Sequence, residues 1–188
     1  MSEPIRCGWS LKTPIYLDYH DQEWGRPVYD DQRLFEMLVL SGVQAGLSWL
    51  TVLKKRENYR NAFDQFDPEK IAAYTEEDIE TLLQNSGIIR NRQKIKSAIV
   101  NAQACLRVRA EFSTFSNYLW QFTGHQVLFN HPETGSEIAS VSPEAEHMSR
   151  DLRQRGFSFV GPTICYAFMQ SVGMINDHIE TCWCKYAN

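Results

Sequence analysis

The sequence has no apolar run long enough to cross a membrane, and Met1 to Ser10 lack the apolar stretch and small-residue cleavage site of a secretory signal. The expectation is a chain with no membrane partner, resident in the cytoplasm. Strict alternation of β-branched residues is missing as well, and so are internal repeats and low-complexity segments, which argues against a sheet-based, solenoid or disordered architecture. Positive charge is scarce: 19 Lys and Arg stand against 23 Asp and Glu, for a net charge of -4. Phosphate binding is driven by Lys and Arg, so the overall charge gives no pull toward nucleic acid. Five cysteines, Cys7, Cys105, Cys165, Cys182 and Cys184, are an odd number for a cytosolic chain and exclude a disulfide framework as the organising device.

What is present has the balance of an ordinary globular protein, 43% hydrophobic and 22% charged, and 188 residues suffice for one folding unit spanning 1–188. Helical punctuation recurs along it, which predicts an all-α fold. Asp30 or Asp31 caps a helix carrying Leu34, Phe35, Leu38 and Val39, and Ser48 caps one with Trp49, Val52 and Leu53 inward. Asp67-Pro68 and the box-like pair Thr75 and Asp78 start two more. A long helix runs from about Asn91 to Arg109, a short aromatic one covers 112–122, and Thr123 to Ser140 is a polar loop without periodicity. Ser142-Pro143 opens a helix closing at Gly156, and Pro162 opens another closing at Gly173. Cys105 and Cys165 sit in apolar helical runs as small core residues.

Basic residues gather in three runs: Lys54, Lys55, Arg56 and Arg60; Arg90, Arg92, Lys94 and Lys96; Arg150, Arg153 and Arg155. Each run is also the pattern of a solvated helix face. Four soft-metal ligand types lie near the two ends of the chain. His178 and Cys182 are spaced so that one helical turn aims both at one ion, and Cys7 with His20 completes a closed Cys2His2 set of the structural-zinc kind. Cys184 competes with Cys182 for that place, and the alternative is two inert thiols with surface histidines. The turn Gly156-Phe157-Ser158-Phe159-Val160-Gly161-Pro162-Thr163 looks like a helix-hairpin-helix, whose glycine lets backbone N–H groups approach a phosphate; any helix pair joined by a Val-Gly turn shares the pattern. Trp9, Tyr16, Tyr19, Trp24, Tyr29 and Trp49 crowd the first quarter, either as core with tied polar atoms or as faces that stack on a base drawn from a duplex.

Taken in order, Cys7-Gly8-Trp9, Tyr19-His20-Asp21, Glu23-Trp24-Gly25, Gln44-Ala45-Gly46-Leu47-Ser48-Trp49, Leu53-Lys54-Lys55-Arg56-Glu57, Gly87-Ile88-Ile89-Arg90 and Asn176-Asp177-His178 resemble the 3-methyladenine DNA glycosylase I family. The resemblance runs from Arg6 to Cys184. It implies a helix-hairpin-helix glycosylase fold, with the hairpin over about 143–173 and a zinc lobe made from about 6–24 and 174–184. Cys7, His20, His178 and Cys182 then hold one structural zinc. Trp9, Tyr16, Tyr19, Trp24 and Trp49 surround the extruded base, Gly46 and Leu47 fill the gap in the duplex, and Val160, Gly161 and Thr163 meet the DNA backbone. The implied activity is hydrolysis of the N-glycosidic bond of an alkylated purine, chiefly 3-methyladenine, in double-stranded DNA by a monomer.

Two departures stand out. Ser41 occupies the place where the family has a glutamate that recognises the methylated base, and Glu36, five residues earlier, falls on another helix face. Asn176 stands where the wider helix-hairpin-helix glycosylases have a catalytic aspartate, so no catalytic base is assigned. Cationic 3-methyladenine is a good leaving group, and positioning with desolvation supplies rate without a strong base. The alternatives are a paralogue that binds damaged DNA with another lesion preference or low turnover, and an interaction protein that keeps only the fold.

Overall fold

The computed structural model describes residues 3–187. After a 3-10 turn over Gly8–Lys12 come helices α1 (Pro14–Gln22), α2 (Asp31–Val43), α3 (Trp49–Ala62), α4 (Pro68–Ala72), α5 (Glu76–Gln84), α6 (Arg92–Phe112), α7 (Phe115–Trp120), α8 (Pro143–Gln154) and α9 (Pro162–Ser171). The architecture is all-α, as the punctuation predicts. The only strand pairing among the described residues joins β1 (Leu128–Phe129) to β2 (Ile175–Asn176) in parallel, Leu128 opposite Ile175 and Phe129 opposite Asn176. That pairing gives order to part of the aperiodic 123–140 stretch. Two residues carry too little alternation to be read from sequence.

Side-chain caps start the helices where expected. Asp30 accepts from Arg33 N at 2.8 Å, which settles the cap of α2. Asp31 instead accepts from the backbone of Phe115 and Ser116 at 2.9 and 2.8 Å, tying α7 to α2. Thr75 and Asp78 form both halves of a capping box, Ser48 caps α3, Asn91 caps α6 and Ser142 caps α8. One helix escapes the sequence reading: α1, whose Thr13 cap and Pro14 at the first position repeat the Ser142-Pro143 signal.

Helix α2 is buried from Leu34 through Val43. A helix buried on every side has to be wrapped by others; α3, α6, α7 and α9 all pack on it. This main cluster joins Leu34, Phe35 and Leu38 to Ile95, Tyr118, Trp120, Phe168 and Met169. A second, smaller cluster forms where the chain ends meet, from Cys7, Tyr19, Trp24, Leu53, Cys182 and Cys184. Trp49 touches both. None of the described helices is long and apolar enough to cross a membrane.

Candidate active site and metal centre

A cavity of about 380 Å³ opens where the two clusters meet, within the roughly 300–1,000 Å³ of small-molecule pockets. Trp9 comes from the 3-10 turn, Tyr16 and Tyr19 from one face of α1, Trp24 from the segment after it and Trp49 from the first turn of α3, and all five line the cavity. The sequence-predicted aromatic set is thus brought together. Trp9 stands edge-on to Tyr16 and Trp24, at centroid distances of 5.4 and 5.1 Å. Tyr19 lies 5.7 Å from Trp49. Tyr29 is not part of the group; it stacks on Trp120 at 4.6 Å.

Polar anchors fix the rings. Tyr16 Oη accepts from Leu50 N at 2.9 Å, pinning α1 to the start of α3. Burial pushes the Tyr19 hydroxyl well above the usual phenol range, so it keeps its proton. Trp49 Nε1 is buried and has no hydrogen-bond partner among the described residues. Behind the rings Arg56 donates to both oxygens of Glu23 at 2.8 Å, locking the end of α1 to α3. Arg56 therefore braces the pocket from inside.

Four polar lining residues were given no role from sequence: Gln44, Gln170, Ser171 and Lys12. Gln170 carries a signal, a lone amide in the apolar run Phe168-Met169-Gln170 of α9. Gly135 and Ile138 also line the cavity, so the loop without periodicity closes one side of it. Ser41 does not line it. The Ser41 side chain is buried and donates its hydroxyl to the Met37 carbonyl at 2.7 Å, one turn back along α2. Glu36 is paired with Arg33 and Arg60, away from the cavity. Asn176 is occupied at both ends, donating to Lys185 O at 3.1 Å and accepting from His178 N at 3.2 Å.

Beside the pocket Cys7, His20, His178 and Cys182 converge, all buried, with ligand atoms within 4.8 Å of one another. The turn expected between His178 and Cys182 is not an α-helix; reverse turns, with Cys182 N bonded to Ile179 O at 2.9 Å, bring the two side chains together. A tetrahedral ion bonded at about 2.3 Å to sulfur and about 2.0 Å to nitrogen has S···N edges of about 3.5 Å. The observed edges are 3.6 Å for Cys7–His178, 3.5 Å for Cys182–His20 and 3.4 Å for Cys182–His178. The remaining ring nitrogens are held as metal-bound histidines require: His20 Nδ1 lies 2.8 Å from Asp21 Oδ1 and His178 Nε2 lies 3.1 Å from Trp24 O. Hydrogen bonding from Cys7 pulls the Cys182 thiol well below its ordinary range, with His178 and His20 adding to the effect. The donor Cys7 is pushed up in turn. The four residues fit a metal ion. Cys184 lies 3.8 Å from His20 Nδ1, the nitrogen already facing Asp21, and burial pushes its thiol up to about 12.

Gly25 shows how closely the lobe is packed. Its φ is +75°, and a Cβ there would sit 2.9 Å from His178 Nε2.

On the outer surface, Gly46 and Leu47 are exposed at the tip of the loop between α2 and α3. Buried Lys94 supports that loop, donating to Val43 O and Ala45 O at 2.7 Å each. The hairpin joins α8 to α9, and Gly161 caps α9 without a side-chain bond. Thr163 is exposed, whereas Val160 is only 2% exposed and packs inward, its carbonyl accepting from Ser149 at 2.6 Å. The basic runs are mostly neutralised at home: Arg60 by Glu36 and Glu57, Arg92 by Glu76 and Glu80, Arg155 by Glu111 and Asp151. Among the described residues Lys54, Lys55, Arg90, Lys94 and Arg153 form no ion pair, but Lys55 and Lys94 are turned to backbone carbonyls, so clustering in sequence overstated the charge on offer.

The pocket has the form of a site for a planar ring, and α9, the helix that follows the hairpin, contributes Gln170 and Ser171 to its wall. Residues 9–186 match the family described as methyladenine glycosylase, and the chain belongs to that family. It is 51% identical over 183 residues to DNA-3-methyladenine glycosylase 1 of Escherichia coli (strain K12), covering 97% of this chain and 98% of that protein. To the DNA-3-methyladenine glycosylase of Haemophilus influenzae it is 48% identical over 180 residues, 96% of this chain and 97% of that protein. The structure of 3-methyladenine DNA glycosylase I from Staphylococcus aureus, solved to explain 3-methyladenine recognition, superposes with a TM-score of 0.93 at 38% identity, covering 96% of either chain.

Proposed function

We propose that this chain is a base-excision enzyme that hydrolyses the N-glycosidic bond of 3-methyladenine in double-stranded DNA and leaves an abasic site. The observation that carries the reading is the pocket: five aromatic rings around a cavity of about 380 Å³ in a methyladenine glycosylase fold. Those faces suit a flat cation through stacking and attraction to the ring quadrupole. The alkylated base is cationic while attached, so breaking the C1′–N9 bond releases it neutral; water adds its oxygen to C1′ and yields its proton to solvent. Asn176 has both polar atoms engaged, so no base is assigned from this chain, and rate comes from holding the flipped nucleotide away from water.

Gly46 and Leu47, exposed at the loop tip, fill the space the base vacates in this reading. Gly161 and Thr163, with the open N–H groups at the start of α9 and nearby Arg153, suit a phosphate and carry no sequence preference. The metal is inferred to be zinc, one per chain, held by Cys7, His20, His178 and Cys182. With all four positions filled by protein it supplies cross-linking of the two chain ends and no open coordination site. The chain acts as a monomer and as one folding unit over 1–188. A binding-only paralogue draws on Ser41 alone, and Ser41 lies off the pocket wall.

The test is release of 3-methyladenine from methylated duplex DNA by the purified zinc-loaded protein. The expected result is free 3-methyladenine with matching abasic sites. A folded, zinc-loaded preparation that releases no methylated purine overturns the assignment.

A further inference from the structure

Asp177 follows Asn176 and precedes the metal ligand His178, and it is 2% exposed. Three side chains converge on its carboxylate: Tyr166 Oη at 2.7 Å and Gln170 Nε2 at 2.6 Å on Oδ2, and Asn130 Nδ2 at 2.7 Å on Oδ1. Tyr166 and Gln170 are one turn apart on α9, and Gln170 lines the aromatic pocket. A carboxylate accepts hydrogen bonds and donates none, so the Gln170 amide must turn its NH2 group toward Asp177. The opposite orientation sets two acceptors against each other at 2.6 Å. Nε2 spends one N–H on Asp177, and the end of the amide turned away from that carboxylate is the carbonyl oxygen Oε1, to which no group among the described residues donates.

We propose that Gln170 reads the flipped base through Oε1, accepting from the exocyclic amine of the purine, and that Asp177 is the positioning residue that decides which end of the amide the pocket presents. This rests on the reading of the cavity as a base pocket. Aromatic walls hold any planar ring and do not distinguish an amine from a carbonyl at the purine edge; that choice needs a fixed donor or acceptor. Of the other polar groups on the wall, Ser171 Oγ is turned to Phe168 O, and the side chain of Gln44, the other amide, has no hydrogen-bond partner among the described residues to fix which end it presents. Ser41 Oγ donates within α2, and Tyr16 Oη accepts from Leu50 N. An amide free to flip serves either base, whereas an amide pinned by a buried carboxylate serves only the one with the donor.

The experiment titrates two free bases, 3-methyladenine and 3-methylhypoxanthine, which carries a carbonyl in place of the amine, into the zinc-loaded protein, read by quenching of tryptophan fluorescence. Excision from methylated duplex is followed in parallel. The natural protein should prefer 3-methyladenine; Gln170→Leu should lose about tenfold of that preference while the stacking rings still bind both bases. In Asp177→Asn the new amide can donate to Gln170 Oε1, so Gln170 can turn its NH2 group to the pocket and the preference should vanish or reverse. Simple loosening of the pocket weakens both bases together and produces no reversal. An unaltered preference in Gln170→Leu overturns the proposal. If Asp177→Asn does not fold, Gln170→Leu and Gln170→Met decide by the same ratio. A natural protein that excises nothing and binds neither base fails the base-pocket reading itself, whereas an active one with an indifferent Gln170 fails only this inference.

Discussion

Around Leu34, Phe35 and Leu38, each at 0% exposure, the molecule is held chiefly by apolar burial. Around Cys7 and Cys182 it is held by buried histidines and thiols, with a few rings packed against them. The first region would persist with the metal removed, because its stabilisation is area taken from water. The second has too little apolar surface to offset the ordering of two chain ends, and its polar groups cost free energy unless something binds them. The pocket lies between the two, with Trp49 leaning on the helical core and Trp9 and Trp24 on the lobe. Recognition therefore depends on the weaker of the two regions.

Metal removal should separate the regions most sharply. Elemental analysis should find one zinc per chain, and chelation or His178→Ala should abolish excision while far-UV circular dichroism retains most of its helix signal. Leu38→Ala should do the reverse, lowering global stability by about 2–5 kcal/mol with zinc still bound. Loss of both zinc and helix signal together on chelation removes the distinction. Retention of zinc in Cys182→Ala would hand the ligand position to Cys184.

Trp49→Ala tests the junction. Base–aromatic stacking is worth about 1–3 kcal/mol, so excision should fall by about 5- to 150-fold with the zinc content unchanged. An excision rate within twofold of the natural protein places the base against other rings.

The hairpin, at the opposite end of α9 from Gln170, should respond in another way. A Cβ at Gly161 meets Arg153 Nη2 only at 3.4 Å, an ordinary contact, so the fold accepts a side chain there. Gly161→Leu should weaken binding to undamaged and abasic duplexes alike, by about tenfold, since phosphate contacts carry no sequence information. Unchanged affinity for both duplexes would take the hairpin out of the DNA interface.

The comparison also explains what was legible in the chain. Helix starts were readable because capping is local: Asp30, Ser48, Asn91 and Ser142 act within three residues of themselves. The same rule covers α1 through Thr13-Pro14. The metal set was legible only in residue type, since no local rule brings Cys7 to Cys182; family resemblance supplied the pairing. The inner side of the pocket was the least legible. Gln170 owes its role to a carboxylate seven residues away across the turn after α9, and residues 135–138 reach the cavity by tertiary packing without any periodicity to mark them.

Ser41 is where the smallest effect is expected. It stands one turn before Gln44, which lines the cavity, so it belongs to the helix face beside the pocket although its own hydroxyl is returned to Met37 O at 2.7 Å. A serine so bonded gives the base nothing. Glutamate is longer by two methylenes' reach and brings a charge, which a cationic purine would attract and neutral adenine would not. Hydrogen bonds to charged groups contribute about 1.5–3 kcal/mol against about 0.5–1.5 for neutral ones. The gain from Ser41→Glu should therefore be about 1–2 kcal/mol, on the order of tenfold in affinity for free 3-methyladenine. The same variant moves a carboxylate into a 3%-exposed position, so global stability should fall even as the base binds more tightly. Titration calorimetry with 3-methyladenine and thermal unfolding, run on both forms, read the two signs separately. A weaker base affinity in Ser41→Glu would mean that the pocket takes its charge discrimination from the aromatic faces alone.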